Sequence, residues 1–88
     1  MMLGKVMGSV VATIKDKNLM GLKLLIVASV NANGKATGEQ IVAADTVGAG
    51  PGDRVLVVTG SSARLTAGTV ESAVDAAIVA IVDRLDIE

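Results

Sequence analysis

Ala77-Ile78-Val79-Ala80-Ile81-Val82 is the stretch on which the fold turns, because it fits two elements. As a short apolar run rich in β-branched residues it suits a buried strand. Extended upstream, Val70, Ala73, Val74, Ala77, Ile78, Ile81, Val82 and Leu85 form the stripe of an amphipathic helix. Ser72 and Asp75 add a capping pattern, though one common by chance. Taken alone, the window leans slightly to helix. Four strands upstream make a fifth, closing a small barrel, a competitive reading.

Those four strands are found by working back along the chain. Arg54-Val55-Leu56-Val57-Val58-Thr59 reads as a strand, entered from Val47-Gly48-Ala49-Gly50-Pro51-Gly52-Asp53. Pro51 and Gly52 fit the central positions of a type II turn. A phosphate-binding loop would run from its glycines into a helix, whereas these lead into a strand and lack a Gly-Lys-Ser/Thr. Before them lies a short third strand, about Gln40 to Asp45. Asn33-Gly34 suits the positive φ angles of a tight hairpin turn and follows a more fully buried strand, Lys23 to Val30. Residues 5 to 15 alternate, with Val6, Gly8, Val10, Ala12 and Ile14 on one face and Lys5, Ser9, Thr13 and Lys15 on the other. Gly8 inside this strand points to a bulge or a sharp bend.

The chain has 88 residues, so residues 1–88 are expected to form one domain. Apolar residues make up 51% of it, yet Phe, Tyr, Trp, Cys and His are all absent. A domain this small is marginal alone, and small scaffolds add disulfides, a metal or oligomerisation. Without Cys or His the first has no residues to use, and the second lacks its commonest ligands. Association between copies remains, and the excess of aliphatic residues agrees with it.

Function classes narrow in the same way. Nucleophilic catalysis usually needs His as its base, and Ser61 and Ser62 lie in no Ser-x-x-Lys pattern. The carboxylates are scattered, and no calcium loop appears around Asp16. No enzyme activity, cofactor or metal is expected. Net charge is −1 without a basic block, and no aromatic residue is available for stacking on bases, so a nucleic-acid partner is not expected. No uncharged run reaches the length of a membrane span. The apolar start, Met1 to Ile14, is a faint echo of a signal peptide that Gly4 and Gly8 interrupt. The plain expectation is a cytoplasmic protein.

Five strings now carry a resemblance. They are Gly4-Lys5-Val6-Met7-Gly8-Ser9-Val10-Val11-Ala12-Thr13, Leu22-Lys23-Leu24-Leu25, and Ala43-Ala44-Asp45-Thr46-Val47-Gly48-Ala49-Gly50 with Asp53-x-Val55-Leu56-Val57. Gly60-Ser61-Ser62-Ala63-Arg64 and Val74-Asp75-Ala76-Ala77-Ile78-Val79-Ala80-Ile81-Val82-Asp83 complete the set. In this order and spacing the chain resembles the EutN/CcmL family of bacterial microcompartment vertex proteins over nearly its whole length.

The resemblance implies a mainly β fold: a five-stranded, OB-like β-barrel with a short helix before the last block, assembled into a cyclic pentamer. It makes the last block a strand, against the helical lean. The implied function is structural, a homo-pentamer capping fivefold corners among hexameric shell proteins in the bacterial cytoplasm. A pore for small metabolites in the same ring is one alternative, and a monomeric OB-type binding module is another. By the same resemblance, Gly60, Ser61, Ser62 and Ala63 lie near the fivefold axis, where small residues let five backbones converge. Arg64 and Asp45 are assigned to the subunit contact, and Lys15 to contact with neighbouring shell proteins. The chain stops at Glu88, whereas several relatives continue into a longer tail, which removes tail-mediated contacts from the expectation.

Overall fold

The computed structural model describes residues 1–11, 21–60, 63 and 75–86. Five strands are present: β1 (Met2–Val10), β2 (Leu24–Val30), β3 (Ala36–Asp45), β4 (Arg54–Thr59) and β5 (Ala76–Ile81). They close into a barrel in the order β1-β2-β3-β5-β4, with β4 returning to β1. All neighbours are antiparallel except β3 and β5, which run parallel. The window that opened the sequence question is therefore a strand. The short helix implied before it falls outside the described residues.

Strand β5 defeats a simple periodicity because it is covered on both sides. Ala76 and Ile78 join Val6, Leu25, Val27, Ala43, Ala49, Val55 and Val57 in the barrel interior. Ala77, between them, faces outward yet is fully buried beneath Ala63, in a second cluster with Ala44. Three consecutive buried residues mimic a helix stripe as well as they make a strand.

The boundaries of β1 and β3 differ from expectation. The first strand starts at Met2 and ends at Val10, rather than spanning residues 5 to 15. Gly8 does mark a bulge: Val6 pairs with Val27 and Gly8 with Ile26, which leaves Met7 as the extra residue. Adjacent strand residues face opposite sides, so the bulge separates Val6 from Gly8 and Val10, which the alternation had placed together. Val6 is buried inside, while Val10 is exposed. The third strand is ten residues long, not the short Gln40–Asp45. Its first half, Ala36 to Gln40, is exposed and so carries no apolar alternation. Pairing with β2 defines it instead.

The turns follow their residues in one case and depart in the other. Asp53 N–H donates to Gly50 O at 3.0 Å, and Gly52 has φ +90°, which is the type II turn expected at Pro51-Gly52. At Asn33-Gly34 only Gly34 has positive φ, so the hairpin is not a two-residue turn. Asn31 N–H donates to Lys35 O, and Gly34 N–H donates to Asn31 O, both at 2.9 Å. The Asn31 side chain accepts from the backbone N–H of Asn33 and Lys35 at 2.9 and 3.1 Å. That side-chain oxygen fixes a longer loop in place of the tight turn.

Candidate functional site

The parallel seam between β3 and β5 positions most of what the sequence singled out. It has only two paired positions, Ala44 with Ala77 and Asp45 with Ile78. On the outside, Leu24, Ala44, Ala77 and Val58 form one row across β2, β3, β5 and β4. Ala63 packs on this row and is fully buried. Beyond the strands, Gly60 N–H donates to Asp75 O at 2.8 Å, and Ala63 N–H donates to Gly60 O at 3.1 Å. Gly60 is thus the pivot of the loop and Ala63 its anchor, packed on the protomer's own barrel rather than presented to solvent.

At the other end of the seam sits Asp45. Its side chain is only 4% exposed, and Oδ1 accepts the backbone N–H of Val47 at 3.0 Å. The carboxylate so orients the loop that follows β3. Thr46 Oγ1 donates to Ile78 O at 2.6 Å, tying that loop to β5. Lys23, just ahead of β2, completes the arrangement. Its Nζ donates to Ala49 O at 3.1 Å and lies 3.9 Å from Asp45 Oδ2. Asp53 holds the far end of the loop, with Oδ2 accepting Gly50 N–H at 2.9 Å.

Asp45, assigned from the sequence to the subunit contact, sits in this protomer where its carboxylate accepts Val47 N–H and orients the loop after β3. Lys23, Thr46 and Asp53 were not singled out. The available signal was the lone cation directly before an apolar strand, with an acid closing the strand that pairs with it. Ser61, Ser62, Arg64 and Lys15 lie outside the described residues. Among the described residues no cluster of three or more His, Cys, Asp or Glu could hold a metal ion. A shallow cleft beside the seam is lined by Ile41, Val42, Thr59, Gly60, Asp75 and Ala76.

The Lys23 contacts have a measurable consequence. Lys23→Met keeps the apolar stem and removes the donor to the Ala49 carbonyl. A hydrogen bond from a charged group is worth about 1.5–3 kcal/mol, and the Lys23 side chain is 58% exposed, so screening lowers this to about 1 kcal/mol. The melting temperature should fall by about 4–8 °C at fixed chain concentration, read by circular dichroism. An unchanged melt would show that the loop is held without Lys23.

The family described as ethanolamine utilisation protein EutN/carboxysome matches residues 1–83. The bacterial microcompartment shell vertex protein GrpN of Rhodospirillum rubrum is 49% identical over 86 residues, 98% of this chain and 97% of that protein. The carboxysome shell vertex protein CcmL of Synechococcus elongatus is 44% identical over 88 residues, 100% of this chain and 89% of its own. Among solved structures, the GrpN pentameric microcompartment shell protein from Rhodospirillum rubrum superposes with a TM-score of 0.91 at 46% identity, covering both chains fully.

Proposed function

The chain belongs to the EutN/CcmL family, and from that premise we propose that it caps the fivefold vertices of a bacterial microcompartment shell in the cytoplasm. Its work is geometric. Five copies close into a ring and supply the curvature that a flat sheet of hexameric shell proteins lacks. The observation that carries this reading is the pentameric GrpN structure, matched over the full length of both chains. Nothing in the residues asks for catalysis, and the chain acts as a structural part.

The physics supports the same reading. A cyclic ring uses two different patches per subunit and closes when the rotation between copies is right. A barrel core of Val, Leu, Ile and Ala carries no bulky ring, which suits a crowded axis. In this reading residues 1–88 form one vertex domain, and the loop from Gly60 through Ser61 and Ser62 to Ala63 approaches the axis. Ala63 anchors that loop on the protomer. Arg64 and Asp45 lie at the subunit contact, Asp45 by setting the loop of residues 46–50. Lys15 reaches the neighbouring hexamers.

Native mass spectrometry of the purified chain at micromolar concentration tests the ring. A dominant species of five chains is expected, and a stable monomer would overturn the assignment. Replacing Ser61 and Ser62 by bulky residues should leave both the ring and shell closure intact. Shells that fail to close with this variant would give the loop more than a space-saving role.

A further inference from the structure

Asn33-Gly34 is the one motif of the sequence that the shell reading leaves unused, and its chemistry goes beyond making a turn. The side-chain amide carbon of an asparagine, Cγ, can be attacked by the backbone nitrogen of the next residue, closing a five-membered ring. Asparagine is a thermolabile residue for this kind of reason. A following glycine favours the attack, because without a Cβ its nitrogen is unscreened and its backbone turns freely. Of the three asparagines in the chain, Asn18 precedes Leu19, Asn31 precedes Ala32, and only Asn33 precedes a glycine. Residues 31 to 35 are all exposed, so water reaches the hairpin tip.

The folded tip holds this reaction back. Gly34 N–H donates to Asn31 O at 2.9 Å, so the nitrogen that would attack is already engaged. On either side of it, the Asn33 and Lys35 N–H groups donate to Asn31 Oδ1 at 2.9 and 3.1 Å. One asparagine side chain therefore clamps both neighbours of the reactive nitrogen. Exposed hydrogen bonds in a loop open locally at far less cost than the whole barrel.

We propose that Asn33 is a site of slow self-modification by deamidation, and that the Asn31 side chain sets its rate. When the tip opens, the Gly34 nitrogen gives up its proton to water and attacks Asn33 Cγ. The new C–N bond closes a succinimide, and the side-chain nitrogen takes up a proton and leaves as ammonia. Water then adds to either ring carbonyl and breaks that carbonyl's bond to the Gly34 nitrogen, leaving aspartate or isoaspartate. Water is the only other reactant. Each product adds one negative charge beside Lys35, at the tip of a chain whose formal net charge is already −1. Isoaspartate also carries the backbone through Cβ, which lengthens the path that Asn31 spans and prevents the clamp from closing again. The change runs one way and accumulates with the age of the chain.

Incubating the full chain for weeks at neutral pH, followed by peptide mapping and isoaspartyl detection, tests the proposal. The peptide holding Asn33 should convert while Asn18 and Asn31 stay intact, and Asn33→Gln should abolish the signal. Conversion that persists in Asn33→Gln, or a folded wild type that never converts while the urea-unfolded chain does, overturns the site. Asn31→Ala should convert at least fivefold faster than the wild type, with an unchanged circular dichroism spectrum. That factor corresponds to about 1 kcal/mol, the ordinary net worth of one hydrogen bond. A wild-type rate in Asn31→Ala overturns the clamp. Hydrogen exchange on the wild type gives a measurement that needs no variant: the Gly34 amide should exchange at least fivefold more slowly than in the unfolded chain. Exchange at the unfolded rate would likewise remove the clamp.

Discussion

Ile78→Ala should destabilise the chain by about 2–5 kcal/mol, the range for removing a large aliphatic side chain from a packed core. Ile78 is fully buried and among the largest side chains in the interior. It also stands at the weakest joint, since β5 is the strand that closes the barrel and meets β3 at only two positions. Truncation leaves a cavity where Val57 on β4 and Asp45 on β3 flank the same residue. A chain of 88 residues has about 4–13 kcal/mol of stability in total, so the loss is a large share of it. Urea unfolding in dilute solution, where assembly adds little, should show the midpoint falling by about 1–3 M. Ile81 provides the comparison, being the same residue on the same strand but 40% exposed. Ile81→Ala should cost under about 1 kcal/mol in the monomer. Equal losses at the two positions would mean that burial in the barrel is not what holds β5.

The same strand explains what the sequence made legible and what it hid. Arg54–Thr59 and the apolar run up to Val30 were readable because their inward residues are β-branched or Leu, framed by turn residues. Strand β5 was ambiguous for a physical reason. Burial by the barrel on one face and by Ala63 on the other erases the period-two signal. The resemblance to the vertex family, not periodicity, made the correct choice there. The extra residue at Met7 likewise breaks the alternation that places Val6, Gly8 and Val10 on one face, since a bulge is invisible to a count of two. The exposed half of β3 leaves no apolar mark at all, because its partner strand and not burial holds it. Asp45 was legible as an acid closing a strand. Lys23 was not, because its contacts to Ala49 and Asp45 link positions more than twenty residues apart.

Gly4→Val should be the most damaging exchange in β1, at about 3 kcal/mol, the upper end for overpacking a core. Gly4 is buried between Ser29 of β2 and Val55 of β4. Even a single Cβ there would run into Val27 Cγ1 and come within 3.0 Å of the Ala28 carbonyl oxygen. Val27 is itself fully buried and closely packed, and the carbonyl belongs to a paired strand, so neither can give way cheaply. The outcome should be a chain that unfolds at markedly lower urea concentration and, for that reason, assembles poorly. Gly8→Val, on the same strand, should leave the urea midpoint in dilute solution nearly unchanged, since no described residue lies within 4 Å of a Cβ built on it. The two glycines therefore differ in what the barrel asks of them. Gly4 is required for β1 to lie against β2 and β4, while Gly8 faces open space among the described residues. A Gly4→Val chain as stable as the wild type would mean that β1 and β2 can spread to admit the side chain, and that this close approach is not needed for the barrel to close.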